Sequence, residues 1–139
     1  MSGGETMYSQ KFLELITNPM NQGKMQNSDG EGTVEDPQSG ANCTIEIKVE
    51  FGIIKSISFW VSGDNETIAC CSMTTILAKG KHLAEALKIT KQDVKDALEW
   101  SVEADHPGID LALGTLRKTI QNYLLRRGIY HIQFENLDS

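Results

Sequence analysis

The chain has 139 residues, 40% of them hydrophobic, and a formal net charge of −6 at pH 7. This length is sufficient for one domain with its own apolar core. The acidic charge argues against binding to nucleic acid, and no apolar run reaches the roughly 18 residues of a membrane span. The three cysteines show no disulfide-like spacing and no secretory signal is visible. We therefore expect a cytoplasmic protein in a reducing compartment.

The first predicted element is a short helix capped by Ser9, which follows a small, polar leader at residues 1–7 that we expect to be disordered. Asn18-Pro19 ends this helix, because proline disfavours a helical conformation in the residue before it. Residues 18–42 are rich in glycine and predict a long turn-rich segment, with a short strand at Thr33-Val34.

A β-hairpin follows. Apolar and polar side chains alternate over residues 43–50, with Cys43 on the apolar side. Phe51-Gly52 predicts a tight turn, and residues 53–61 are rich in the β-branched and aromatic residues typical of strands. We expect residues 43–50 and 53–61 to be antiparallel neighbours.

The next predicted element is a helix that begins at Asp64, a good N-cap, and ends before Gly80. Glu66 lies in its first turn, where the helix dipole favours negative charge. Residues at three- and four-residue spacing predict one buried face: Ala69, Cys70, Met73, Ile76 and Leu77. Cys71 is expected at the edge of that face.

Three further helices complete the predicted domain, over residues 82–87, from Thr90 to Leu98, and over residues 107–127, where Pro107 suits the first turn. Strands followed by helices indicate an α+β fold: a small antiparallel sheet covered on one face by helices. We expect the domain to span residues 8–128. The extension at residues 129–139 has the alternating pattern of an edge strand.

The sequence resembles a known family, the NifU N-terminal or IscU-type scaffolds for iron–sulfur cluster assembly. The resemblance runs from about Tyr8 to Tyr123 and depends on the order of several short motifs. These are Tyr8-Ser9, the NPMNQG run at 18–23, the DGEG turn at 29–32, the hairpin, KGK at 79–81, EALKIT at 85–90, and His106 before the last helix. It implies the SufE/NifU-type α+β fold, a scaffold role and iron binding.

The resemblance also implies where cluster ligands should lie, namely at three cysteines and one aspartate. Alignment without gaps places Ser39 at the first cysteine and Ala41 at the aspartate. Asp64 takes the place of the second cysteine, and Pro107 that of the third, directly after His106. Alanine and proline side chains have no donor atom, and serine and aspartate are poor substitutes for thiolates. These former ligand positions should still lie near one another.

A metal site with non-standard ligands is the alternative. Its candidate ligands are Asp64, His106, Cys71 and Cys43, which could hold iron, zinc or an iron–sulfur cluster. The simpler interpretation makes Cys43 and Cys70 buried core residues. In that interpretation Asp64 is an N-cap, and His106 is a loop or cap histidine.

The chain has no phosphate loop, no HExxH motif and no nucleophile elbow, so we expect no enzyme. An acid–base site using Asp64, His106 and Asp105 has no support beyond the family's site geometry. We expect a scaffold homologue that has lost its cluster ligands, carries no cofactor and acts as an interaction or regulatory module. Its expected partner is a cysteine desulfurase or a functional scaffold. The alternative is an iron, zinc or iron–sulfur carrier.

Overall fold

The computed structural model describes residues 8–100 and 106–128. The expected leader at 1–7, the extension at 129–139 and Asp105 lie outside the described residues. The elements, in chain order, are α1 (Gln10–Thr17), β1 (Gly30–Glu35), β2 (Asn42–Glu50), β3 (Ile53–Ser62), α2 (Asn65–Ala78), α3 (Leu83–Ala86), α4 (Lys91–Leu98) and α5 (Pro107–Arg126). The predicted α+β class is confirmed. Over the described ranges, no helix is long and apolar enough to cross a membrane.

The sheet is antiparallel with the strand order β1-β2-β3. The predicted hairpin is confirmed, with Cys43 opposite Val61 and a register shift between Lys48 and Val49. Phe51 and Gly52 both have positive φ angles, 56° and 78°, which the tight right-twisted hairpin turn requires. The inward side chains of the central strand are fully buried against the helices, namely Cys43, Ile45 and Ile47.

Strand β1 corrects the prediction of a turn-rich segment over residues 18–42, because it already begins at Gly30. A Cβ atom at Gly30 would lie 2.7 Å from the Tyr123 Cβ, and one at Gly32 would lie 2.7 Å from the Thr119 backbone nitrogen. The two glycines therefore allow α5 to cross the strand closely, and do not mark a turn.

Helix α2 corrects the prediction of a single buried face. Cys71 has no exposed surface, although it was expected at the edge, and Ile76, expected inside, is 36% exposed. The helix is surrounded by β3, α1, α4 and α5. Serine and threonine side chains of α2 donate hydrogen bonds to nearby backbone carbonyls. They can therefore be buried on the sides of the helix that do not carry its large apolar residues. Ser72 Oγ donates to the Met20 carbonyl (3.0 Å), and Thr74 Oγ1 donates to the carbonyl one turn earlier (2.8 Å).

The helices lie on one face of the sheet, as predicted, but the other face is also partly covered. Gln22 pairs with the free edge of β3 through an isolated bridge with Phe59. On the second face, the Met25 backbone N–H donates to Glu46 Oε1 at 2.8 Å. Lys24 lies over the Trp60 ring at 5.4 Å. These contacts explain why Glu46, on the predicted polar side of β2, is only 6% exposed.

The helix ends match the sequence signals closely. Thr90 and Asp93 form both hydrogen bonds of a capping box at the start of α4. Pro107 occupies the first turn of α5, and this helix ends at Arg126, one residue before the predicted end. Buried residues of α5 include Ile109, Leu116, Ile120 and Leu124.

We predict that Gly32→Ala destabilises the protein by about 2–3 kcal/mol, because the added methyl group overpacks the backbone of α5. Gly114→Ala is the matched control on α5 itself, since a Cβ there meets nothing within 4 Å. It should stabilise the helix by roughly 0.5–1 kcal/mol. Urea unfolding measures both free energies. Equal effects of the two substitutions would show that β1 does not lie against α5 as described.

Candidate functional site

The residues that the resemblance aligns with cluster ligands lie where β2, α2 and α5 begin. Ser39, Ala41 and Asp64 line one shallow depression of about 280 Å³. The start of α5 lies against the first turn of α2, since a Cβ added at Gly108 would be 3.0 Å from the Thr67 Cα. Pro107 is exposed and lines a neighbouring depression of about 370 Å³.

The side chains of Ser39 and Asp64 form hydrogen bonds within their own turns of the chain. Ser39 Oγ donates to Asp36 Oδ2 (2.9 Å) and accepts from the Ala41 backbone N–H (3.1 Å). Asp64 Oδ1 accepts from the Thr67 backbone N–H (2.8 Å), so Asp64 is the N-cap of α2. Burial acts to raise the pKa of Asp64, but hydrogen bonds from Thr67 outweigh it and the pKa is lowered. Both side chains therefore serve the backbone.

His106 caps α5 with its imidazole ring. Its Nδ1 atom accepts a hydrogen bond from the Gly108 backbone N–H at 2.9 Å. A neutral imidazole that accepts at Nδ1 carries its proton on Nε2. The Nε2 atom lies 2.9 Å from Glu66 Oε1, and therefore donates to that carboxylate. Both ring nitrogens are thus engaged.

Glu66 is the site residue that the sequence analysis missed, because it was assigned only to the helix dipole. Its second carboxylate oxygen accepts from the Tyr8 hydroxyl at 2.7 Å. This hydrogen bond, followed by burial, raises the pKa of Tyr8 to about 12. An acidic residue two positions after Asp64 was the available signal. Its partners, however, lie in distant parts of the chain.

An aromatic cluster supports the hydrogen-bonded network of Tyr8, Glu66 and His106. The Tyr8 ring stacks on Phe12 with ring centres 4.5 Å apart, and Phe12 meets Trp100 edge-on at 4.7 Å. Trp100 lies 5.5 Å from the His106 ring. The cluster joins α1, the segment after α4 and the start of α5, so burial and ring packing hold the network in place.

The four candidate metal ligands separate into two pairs. Asp64 and His106, together with Glu66, can bring one ligand atom each within 4.8 Å of the others. No cysteine joins this group in the described part of the chain. Cys71 lies instead against Cys43, with 3.4 Å between the two sulfur atoms, although the sequence analysis placed Cys71 at the edge of the buried helix face.

All three cysteines are free thiols and fully buried. Burial, with a contribution from the negative charges of Glu66 and Asp64, raises the pKa of Cys70 far above its usual value. A buried neutral thiol is a poor metal ligand and a slow nucleophile. Slow labelling of native Cys43 and Cys70 by bulky thiol reagents therefore stays our expectation.

The profile of the NifU-like N terminal domain matches residues 7–129, and the chain belongs to this family. It is 41% identical over 122 residues to the iron-sulfur cluster assembly scaffold protein IscU 1 of Archaeoglobus fulgidus, covering 88% of this chain and 80% of that protein. It is 35% identical over 124 residues to IscU of Escherichia coli K12, covering 86% and 96%. The crystal structure of a nitrogen-fixing NifU-like protein (N-terminal) from Brucella abortus shares the fold, with a TM-score of 0.57 and 16% identity over 99% and 98% of the two chains.

We predict that Glu66→Ala lowers the pKa of Tyr8 from about 12 towards the ordinary value of about 10, because the carboxylate acceptor is removed. A raised pKa in the folded state means that this contact stabilises the protein fully below about pH 10 and less as the pH rises towards about 12. Titration of tyrosinate absorbance measures the shift, and Tyr8→Phe identifies the transition. Glu50→Ala, at an exposed residue paired with Lys55, is the control and should leave it unchanged. A wild-type Tyr8 that titrates near 10 would contradict the network.

Proposed function

We propose that this protein is an iron–sulfur cluster assembly scaffold homologue that holds no cluster and acts as an interaction or regulatory module. Membership of the NifU-like N-terminal domain family supports the connection with cluster assembly. Relatives that are 35–41% identical carry the name of iron–sulfur cluster assembly scaffold. The absence of a cluster is argued from the side chains at the former ligand positions.

The engagement of both His106 nitrogens is the observation that carries this proposal. A neutral histidine that binds a metal through Nε2 carries its proton on Nδ1 and donates it to a neighbouring acceptor. Here Nδ1 accepts from the Gly108 N–H instead. A metal at Nε2 would therefore require either an imidazolate or the loss of the α5 cap. A metal at Nδ1 would displace the Gly108 contact directly.

The other residues aligned with cluster ligands do not supply the metal ligands that His106 cannot provide. A cluster requires about four strong ligands, mostly thiolates. Ala41 and Pro107 supply no donor atom, Ser39 holds the turn before β2, and Asp64 caps α2. All three thiols are buried in the core, and two of them, Cys43 and Cys71, face each other.

The second candidate function is a metal carrier, which the group of Asp64, Glu66 and His106 favours. Two carboxylates and an imidazole are suitable ligands for zinc or iron. Binding would have to replace the Tyr8 and His106 hydrogen bonds to Glu66 and remove caps from two helices. The two functions therefore predict different metal contents.

An exposed apolar patch on α1, the segment that follows it, and α2 supports the interaction role. Leu13, Met20 and Ile76 are 42%, 52% and 36% exposed and line a depression of about 620 Å³. Apolar patches of this kind are typical of protein–protein contacts. A cysteine desulfurase or a functional cluster scaffold is the proposed partner, because both belong to the assembly process that the family serves.

We predict that the wild-type protein, incubated anaerobically with ferrous iron and sulfide, forms no stable cluster. The visible absorption spectrum and the iron and sulfide content after desalting measure this. The positive control restores the family's ligands with four substitutions together: Ser39→Cys, Ala41→Asp, Asp64→Cys and Pro107→Cys. This variant should gain cluster absorbance, because the backbone positions are retained. A stoichiometric wild-type cluster would contradict the proposal and favour the carrier.

We also predict that the double variant Leu13→Glu, Ile76→Glu binds the partner at least about tenfold more weakly, since two buried charges replace apolar contacts. Titration calorimetry with a cysteine desulfurase, and separately with a functional scaffold, measures the affinity. Phe51→Glu is the matched control, because Phe51 is 93% exposed on the hairpin turn and lies outside the patch. Binding that is unaffected by the double variant would exclude the patch as the contact surface.

A further inference from the structure

Cys43 and Cys71 form a buried thiol pair for which neither the former ligand site nor the proposed function has a use. Their sulfur atoms are 3.4 Å apart, and neither residue has exposed surface. Cys43 lies on β2 and Cys71 on α2, 28 residues apart in the chain. The neighbouring Cys70 is also buried but is not part of this contact.

We propose that Cys43 and Cys71 are a redox-convertible dithiol, which a hydroperoxide oxidises to a disulfide that ties β2 to α2. The bond length of a disulfide is about 2.05 Å, so the two sulfur atoms must approach by only about 1.4 Å. They already point at each other across the contact between the strand and the helix. This inference does not depend on the proposed function.

Cys43 is the attacking thiol. A hydrogen bond from Cys71 lowers its pKa, burial opposes this, and the Thr115 hydroxyl adds a smaller lowering effect. The Cys43 thiolate attacks one oxygen of hydrogen peroxide, the O–O bond breaks, and Cys43 becomes a sulfenic acid. The other oxygen leaves as hydroxide, which takes up the proton released by the Cys43 thiol and becomes water. Cys71 then attacks the Cys43 sulfur, the S–S bond forms, and a second water leaves. Two thiols lose two electrons in total, and the peroxide gains them.

Burial determines which oxidants can reach the pair. A hydroperoxide of nearly the size of water can enter during local opening of the core, whereas bulky thiol reagents are excluded. Cys70 is less reactive, because burial and two nearby carboxylates keep its thiol protonated. The pKa of Cys71 is also raised, by its hydrogen bond with Cys43 and by burial. The contact between the two sulfur atoms is therefore what distinguishes the pair from Cys70, which serves as an internal reference in the same core.

The disulfide would covalently join β2 and α2 at the place where both contact α5. Cys43 is contacted by Cys71 of α2 and by Thr115 of α5. Ala41, two residues before Cys43, lines the depression at the former ligand positions. Closing a loop between residues 28 apart restricts the unfolded chain, so the oxidised protein should resist denaturant better than the reduced protein.

The test treats the native full chain with hydrogen peroxide, alkylates free thiols in denaturant, and maps peptides by mass spectrometry without reduction. We expect a Cys43–Cys71 linked peptide that has lost two hydrogen atoms, with Cys70 alkylated. Reduction by dithiothreitol should restore all three thiols. A Cys43–Cys70 link, a Cys43 sulfinic acid without any link, or three unchanged thiols would each overturn the proposal.

Variants and stability complete the test. Cys70→Ala should retain the link, and Cys43→Ala or Cys71→Ala should abolish it. If either of the last two fails to fold, the wild-type map and Cys70→Ala still decide the pairing. The urea midpoint of oxidised wild type should exceed that of reduced wild type, and the difference should vanish in Cys71→Ala. A link that leaves the midpoint unchanged would contradict the tie between β2 and α2.

Discussion

The hydrogen bond from the Gly108 N–H to His106 Nδ1 is the constraint on which the site depends. It starts α5 and assigns the imidazole proton to Nε2. The Nε2–H group then donates to one carboxylate oxygen of Glu66, and the other oxygen accepts a hydrogen bond from the Tyr8 hydroxyl. One cap therefore determines how α5, α2 and the segment before α1 meet. His106, a candidate metal ligand in the sequence analysis, therefore caps a helix and donates to Glu66.

Two further residues that the resemblance aligns with cluster ligands, Ser39 and Asp64, also have backbone partners. Ser39 and Asp64 each satisfy an N–H group in their own turn. Removing such a side chain leaves a backbone donor unpaired, so these residues contribute to stability whatever their function. The ligand replacement that we propose would therefore not require a weaker fold.

Features that depend on local sequence could be predicted well. The hairpin, the capping box at Thr90 and the bounds of α5 follow from alternation, side-chain caps and proline placement, which act within a few residues. Features that depend on distant packing could not. Gly30 and Gly32 resemble turn residues in sequence, but they are glycines because α5 crosses β1 closely. Helix α2 lacks one apolar face because its buried threonines bond to its own carbonyls.

The candidate site likewise has residues that the sequence predicted and contacts that it did not. The family resemblance pointed to Asp64 and His106, which the structure brings together with Glu66. The role of Glu66 was hidden, because its Tyr8 partner lies 58 residues away in sequence. The contact between Cys43 and Cys71 was hidden for a related reason, since helical spacing alone placed Cys71 at an edge.

The most direct test of the central claim is the protonation state of the His106 ring, measured by nuclear magnetic resonance from its two nitrogen chemical shifts. Assignment by comparison with His106→Gln identifies the signals. The account predicts an unprotonated Nδ1 and a protonated Nε2 at neutral pH, with both shifts unchanged when zinc or ferrous iron is added. A protonated Nδ1, or a saturable shift of Nε2 at one equivalent of metal, would contradict it.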